Sequence, residues 1–303
     1  MSATTMSSSG GRLYLIDGSS YIFRAFFALP PLTNAAGVPT QAVYGFTTMT
    51  LRFLKDYDPE HLVVLLDAGR ETFRNQISGD YKGNRPDAPP DLIPQFPYIR
   101  KVLKAMNIPV LEREGFEADD LIATLAKKFA ARDLEVVIVT GDKDLMQLVH
   151  DEVRLLDTMK ARWIGIDQVK EKFGVDPGEV VEVMALMGDP VDNIHGVKGI
   201  GEKTAIALIK YFHSLENLYK HLDEVENTGI KGAARIRKAL VEGKESAFLS
   251  RELATVRTDV PLDVELEGLR RQQPSYDTLR ELYAELGFTQ LIKTMDADRA
   301  TGN

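Results

Sequence analysis

The sequence contains no cysteine. Disulfides, thiolate nucleophiles, Cys-ligated zinc and iron–sulfur clusters are excluded together. Histidine is scarce: His61, His150, His195, His213 and His221 are scattered, and none pairs with a serine motif. A catalytic histidine needs a hydrogen-bonded partner, so these five read as structural. No apolar run suffices for a membrane span, because residues 13–30 are interrupted by Asp17, Gly18, Ser19, Ser20 and Arg24. The opening MSATTMSSSGG has neither the early Lys or Arg nor the apolar stretch of a secretory signal. It reads as a disordered tail, and the chain is expected in the cytoplasm. Positive charge is also in deficit. The 37 Lys and Arg stand against 45 Asp and Glu, for a net charge of −8. Phosphate binders are usually basic, so the bulk charge points away from nucleic acid.

The material present is that of a globular chain. A length of 303 residues allows one large domain or two ordinary ones with a buried core. Short apolar runs rich in β-branched residues predict buried strands at Leu13–Ile16, Leu62–Leu66, Ile108–Leu111, Val136–Val139 and Val153–Leu156. Helical patterns lie between them, at Ala42–Lys55, Asp91–Met106 and Ala118–Ala131. This alternation predicts an α/β fold with a parallel sheet covered on both faces. From about residue 177 the strands stop. Short helices joined by Gly-rich turns follow, at Gly178–Met187, Glu202–Phe212, Leu215–His221, Ala233–Glu242 and Tyr276–Leu286. No long linker separates the halves, so two packed subdomains are expected.

The acidic residues are not scattered. Asp17 ends the first strand, Asp67 follows the second, and Asp142 and Asp144 follow the run VVIVTG. In an open parallel sheet, ligands bind outside the carboxyl ends of the strands, so these side chains converge on one edge. Glu117, Asp119 and Asp120 open the helix of FEADDLIATLA, and Asp189 and Asp192 lie in GDPVDN. Acids in a first helical turn also serve as caps or dipole partners, and an Asp pair can simply start a turn. As a set, nine converging carboxylates would repel one another strongly. Hard divalent cations remove that cost, and a pair of Mg²⁺ ions, about 3.5–4 Å apart, can clamp a phosphoryl displacement.

Two segments gather the positive charge. Residues 70–104 hold Arg70, Arg74, Lys82, Arg85, Arg100, Lys101 and Lys104, interleaved with Phe73 and Tyr81. Cations alternating with aromatics suit single-stranded nucleic acid, although a solvated loop and helix would read the same way. The second segment begins with GVKGIGEKTAIALI at 196–209, whose glycines permit a tight turn ahead of a helix N-terminus. Residues 228–244 add Lys231, Arg235, Arg237, Lys238 and Lys244. No strand precedes the Gly-rich turn, so a hairpin gripping duplex backbone fits better than a dinucleotide fold.

These stretches carry a family resemblance over residues 13–291. LIDGSSYIFRAFFAL, TFRNQISGDYKGNRP, GFEADDLIATLA, VTGDKDLMQLV and MGDPVDNIHGVKGIGEKTA together resemble the flap endonuclease/5′-nuclease family. The likeness is strongest to the N-terminal 5′→3′ exonuclease domains of bacterial DNA polymerase I. The resemblance implies a PIN-like nuclease core over residues 12–184, with a helical arch or clamp at about 70–105. A helix–hairpin–helix (H3TH) region with C-terminal helices would fill 185–292, between tails at 1–11 and 293–303. It implies one metal site from Asp17, Asp67, Glu117 and Asp119, with Asp120 acting through water, and a second from Asp142, Asp144, Asp189 and Asp192. Lys82, Arg85 and Arg24 would serve catalysis at the scissile phosphate. Arg74, Tyr81, Gly196, Lys198, Gly199, Gly201, Lys203, Thr204, Lys231 and Arg235 would contact DNA. The implied cofactors are two Mg²⁺, replaceable by Mn²⁺, and a K⁺ ion at the helix–hairpin–helix.

The implied activity is 5′→3′ exonuclease and 5′-flap endonuclease cleavage of DNA and of RNA primers on DNA, giving 5′-phosphate and 3′-hydroxyl ends. Flaps, nicks, gaps and primer junctions are the expected partners, with no membrane. A monomer is expected at the nucleoid, fused to a DNA polymerase or working beside one. A noncatalytic junction binder, a metal-dependent phosphatase using the DKD acids, and an RNA-processing PIN nuclease remain as alternatives. With the nine proposed ligands set aside, 37 basic residues face 36 acidic ones. The acidity is thus local, and it no longer argues against a phosphate-rich partner.

Overall fold

The computed structural model describes residues 11–132 and 134–301. Of the tail expected at 1–11, residues 1–10 lie outside the described residues. A single sheet forms the centre, with strands β1 (Arg12–Asp17), β2 (His61–Leu65), β3 (Val110–Leu111), β4 (Glu135–Val139), β5 (Val153–Asp157) and β6 (Arg162–Ile164). Their spatial order is β3-β2-β1-β4-β5-β6. All pairs are parallel except β5–β6, which is antiparallel. β6 was not foreseen: three residues at an edge, read as RWI, carry too short a pattern to register as a strand.

The helices are α1 (Gly18–Ala28), α2 (Gln41–Tyr57), α3 (Phe73–Ile77), α4 (Phe96–Ala105), α5 (Ala118–Ala130), α6 (Ile166–Phe173), α7 (Val180–Met187), α8 (Glu202–Phe212), α9 (Leu215–Lys220), α10 (Ala233–Glu242), α11 (Lys244–Ala254), α12 (Tyr276–Glu285) and α13 (Thr289–Thr301). Alternation along the strands divides the core in two. Leu13, Leu15, Val63 and Leu65 pack beneath α5, in a cluster that runs on into α7, α8 and α11. Tyr14, Ile16, Leu62 and Val64 face the other way, toward α1, α2 and α4. Strands apolar on both faces require cover on both sides.

Three expectations need correction. The segment expected to arch over the site is shorter than 70–105. Ile99, Val102 and Leu103 give α4 a buried stripe, so α4 is a core helix, and it is the turns between α3 and α4 that bring Lys82 and Arg85 to Glu117 and Asp192. The C-terminal helices do not stay with the helical region. Leu279, Leu282, Tyr283 and Leu286 of α12 join the cluster of α1, α2 and α4. Residues 256–275 carry the chain back there, pinned where Arg271 N donates to Glu60 O (2.8 Å) and Ser275 N to Ala105 O (2.7 Å). Finally, residues 293–301 belong to α13 rather than a tail, because Ile292 and Met295 pack on the core beside the buried Leu291.

Candidate active site

β1, β2 and β4 are parallel neighbours, so the residues that follow them emerge on one edge. Asp17 closes β1. Its Oδ1 accepts from Ser20 N (2.9 Å) and its Oδ2 from Thr140 Oγ1 (2.7 Å), which ties the ends of β1 and β4 together. Asp67, just past β2, accepts from Ala118 N in the first turn of α5 (2.8 Å). That turn also carries Glu117 and Asp119, so the positive end of α5 meets the carboxylates. Asp142 Oδ1 accepts from Asp144 N (2.9 Å). The last two acids come from the loop after α7. Asp189 Oδ1 accepts from Val191 N (2.8 Å), and Asp189 and Ile194 bond both ways across the loop.

The crowding appears as displaced titration. Burial pushes Asp17 up to about 6, helped by Asp142 and Asp67 and opposed by its bonds from Ser20 and Thr140. Burial pushes Asp144 up to about 7, with Asp142 next in effect and Asp189 and Asp192 adding to it. Asp119 lies well above the usual carboxylate range, through burial and then Asp142, Asp17 and Glu117. These mutual effects join eight of the nine acids into one electrostatic cluster, all but Asp120.

Three cations bridge the cluster. Lys82 Nζ lies 2.7 Å from Glu117 Oε2 and 3.5 Å from Asp192 Oδ2. Arg85 pairs with Asp192 Oδ1. Lys143, which carried no expected role, lies 2.9 Å from Asp189 Oδ2. Burial alone would lower the Lys82 ammonium, but Glu117, Asp192 and Asp119 outweigh it and raise it. Among the described residues, no three carboxylate or imidazole groups converge closely enough to hold one ion as placed. The donor chemistry nonetheless fits a hard divalent cation. The donors are all oxygens, three of the acids are held above their normal range by burial and then by like charge, and the buried Asp144 Oδ1 has no hydrogen-bond partner.

Four residues have other roles than those expected. Asp120 is fully buried and faces away from the cluster's needs. Its oxygens accept from Arg74 Nη1 and Nη2 (both 2.8 Å), Glu117 N (3.1 Å) and Arg257 N (2.8 Å). No lone pair of Asp120 is left for a metal-held water. Arg74 is only 2% exposed and spends its remaining donors on Leu253 O (2.8 Å) and Thr255 O (3.0 Å). It therefore faces no DNA phosphate; it bolts α3 to α5 and to the end of α11. Tyr81, 4% exposed, directs its hydroxyl to Glu117 Oε2 and Asp192 Oδ2 (both 3.3 Å), so its ring is no stacking platform. Burial, then Glu117 and Asp192, raise that hydroxyl and keep it protonated. Gly196 is buried against Gly188. A Cβ there would lie 2.4 Å from Gly188 N, so this glycine closes the loop of Asp189 and Asp192 rather than approaching DNA.

The other expected contacts lie on the surface. Lys198, Gly199, Gly201, Lys203, Lys231 and Arg235 are exposed, and Thr204 is half-buried in the first turn of α8. Gly199 takes φ +89° and Gly201 caps α8, as a tight hairpin requires. Arg24 lies over Gly141, beside Asp142, and pairs with Asp157 (3.7 Å). A cavity of about 430 Å³ lined by Phe73, Phe248 and Arg257 contains none of the expected ligands.

The sequence pattern described as 5′-3′ exonuclease, N-terminal resolvase-like domain, matches residues 12–174. That described as 5′-3′ exonuclease, C-terminal SAM fold, matches residues 175–277. DNA polymerase I of Pseudomonas aeruginosa is 48% identical over 277 residues, covering 91% of this chain and 30% of that protein. The chain thus spans about a third of the length of the polymerase relatives it matches. A 5′-3′ exonuclease of Aquifex aeolicus is 40% identical over 284 residues, covering 94% of this chain and 95% of that one. Among solved structures, the D15 protein of bacteriophage T5, co-crystallised with metal ions, aligns with TM-score 0.65 at 22% identity, over 95% of this chain and 97% of that one. The catalytic core of Rad2 in complex with DNA substrate aligns with TM-score 0.63 at 18% identity, over 94% and 91%. The parallel sheet, the carboxylate edge, the helical second half and these matches lead to one conclusion: the chain belongs to the 5′-3′ exonuclease family.

Proposed function

We propose that the protein hydrolyses phosphodiesters at 5′ flaps, nicks and gaps in DNA and at RNA primers on DNA, leaving 5′-phosphate and 3′-hydroxyl ends, in primer removal and repair. The observation that carries the reading is one electrostatic cluster of eight carboxylates beyond the strand ends, with Lys82 and Arg85 paired to Glu117 and Asp192 within it. Asp17, Asp67, Glu117 and Asp119 would hold one divalent cation; Asp142, Asp144, Asp189 and Asp192 would hold another, with Mg²⁺ or Mn²⁺ as the ion. Such ions lower the pKa of water and draw charge from phosphate oxygens.

The chain's own groups do the rest. Lys82 and Arg85 bind the scissile phosphate and meet the charge that develops on it. Arg24 extends the positive rim beside Asp142. Tyr81 holds Glu117 and Asp192 in place as a hydroxyl donor. The exposed Lys198, Lys203, Lys231 and Arg235, near the starts of α8 and α10, grip duplex phosphates without reading sequence. A K⁺ ion that the helix–hairpin–helix at residues 196–201 would hold belongs to the same reading. The protein is read as a cytoplasmic, nucleoid-associated monomer with a DNA polymerase fused to it or working beside it.

Parallel assays on a 5′-flap duplex, an all-RNA flap and a chromogenic phosphate ester test this reading. Cleavage of the DNA flap at its junction is expected, with little action on the other two. Hydrolysis of the ester alone would favour the phosphatase, and binding without cutting the junction binder. Lys82→Ala should slow the chemical step by roughly 10²–10³-fold while DNA binding persists. Wild-type turnover in that variant would remove Lys82 from the site.

A further inference from the structure

We infer that Asn84 and Asn193 form a reciprocal amide clamp that sets Lys82 and Arg85 in register with the carboxylates of the Asp189–Asp192 loop. The inference rests on the nuclease reading above and assigns both residues as positioning residues. Asn84 Nδ2 donates to Pro190 O (2.7 Å), and Asn193 Nδ2 donates to Asp80 O (2.7 Å). Each amide thus reaches from its own loop to the main chain of the other. The partners lie 106 and 113 residues apart in sequence, so no local connection holds the two loops in register.

Between the amides lie the groups that matter. Lys82 N donates to Asp192 O (2.9 Å) and Arg85 Nε to Val191 O (3.5 Å). The backbone at Lys82 has φ +53° and that at Asn193 has φ +56°, both in the left-handed region. Asparagine tolerates that region; lysine has no intrinsic reason to adopt it. An outlier held in place by surrounding bonds points to a functional constraint. Here the constrained residue carries the ammonium that lies against Glu117 and Asp192. Loss of either amide frees one edge of the turn and lets Lys82 relax toward ordinary backbone. Both amides are spent on main-chain carbonyls, so their removal should not weaken DNA binding directly.

The test compares wild type, Asn84→Ala, Asn193→Ala and Asn193→Gly on a 5′-flap duplex with Mg²⁺, alone and in a Lys82→Ala/Arg85→Ala background. Asn193→Gly keeps the left-handed backbone accessible and removes only the amide. Each Asn variant should lose roughly 10- to 100-fold in kcat with KM within about two-fold of wild type. In the double-alanine background the same substitutions should cost about two-fold or less, since no cation remains to position. Hydrogen exchange of the metal-free protein gives a readout independent of activity: the Lys82 amide should lose protection in every Asn variant. Should Asn193→Ala not fold, Asn84→Ala carries the test alone. Wild-type kcat, a loss confined to KM, or an undiminished loss in the double-alanine background would each overturn the clamp. If the wild-type chain cuts nothing, the nuclease reading fails and the inference falls with it.

Discussion

Asp120 and Asp144 both belong to the nine acids of the sequence pattern, yet their oxygens are satisfied in opposite ways. Asp120 accepts four hydrogen bonds, two of them from Arg74, whereas Asp144 Oδ1 is buried without a hydrogen bond and has only the Lys143 ammonium, 3.9 Å away. Substitutions at the two should therefore diverge. Asp120→Ala strands a buried guanidinium and should cost roughly 3–5 kcal/mol in urea unfolding. Asp144→Asn removes a carboxylate that burial and neighbouring acids hold at about 7, so it should raise the melting temperature of the metal-free protein at pH 8. The same change should abolish Mg²⁺-dependent cleavage. A lower melting temperature for Asp144→Asn would contradict the repulsion argument. The residue identities alone could not separate the two acids. Arg74 chooses Asp120 because Leu253 O and Thr255 O complete its shell, and those carbonyls come from the far end of α11.

At the scale of elements, the sequence is most readable where one local rule decides. The Asp residues after β1, β2 and β4 converge because parallel strands end on one edge. α8 and α10 begin and end where expected, since glycine caps the start of each. What tertiary contact decides was not legible. Tyr81 looks like a stacking ring until its hydroxyl meets Glu117 and Asp192. The loop between α7 and α8 is a further case. Gly188 and Gly196 both have positive φ, and a Cβ on either would lie 2.4 Å from main-chain atoms of the loop. Gly196→Ala should therefore destabilise the protein by roughly 1–3 kcal/mol and displace Asp189 and Asp192, lowering turnover. Lys203→Ala, on the exposed start of α8, should leave stability unchanged. It should weaken duplex binding and reduce the salt slope of log Kd by about 1. If Gly196→Ala weakened DNA binding alone, it would restore that residue to the DNA interface.

For the whole molecule, the net charge of −8 misleads because it averages over position. Eight of the acids are concentrated in one cluster, and Lys198, Lys203, Lys231 and Arg235 of the α8 hairpin and α10 remain exposed. Burial and repulsion of these carboxylates link stability to pH. Asp17 and Asp144 have folded-state values of about 6 and about 7, above the ordinary 3.8. Between these values the native state binds more protons than the unfolded chain, so stability should fall as pH rises through this window. In EDTA, the melting temperature should be lower at pH 8 than at pH 5. Mg²⁺ should raise it more at pH 8, where the carboxylates are ionised. A melting temperature that climbs across the window without metal would contradict this.

Whether this carboxylate edge cuts DNA with the help of divalent cations is decided by a single-turnover assay on a 5′-flap duplex labelled at the flap end, with Mg²⁺ titrated from zero. Cleavage at the junction is expected, leaving a 5′-phosphate on the duplex strand, rising with Mg²⁺ and abolished by EDTA. No product from flap, nick or gap with either Mg²⁺ or Mn²⁺, or product undiminished by EDTA, would contradict metal-dependent cleavage at this edge.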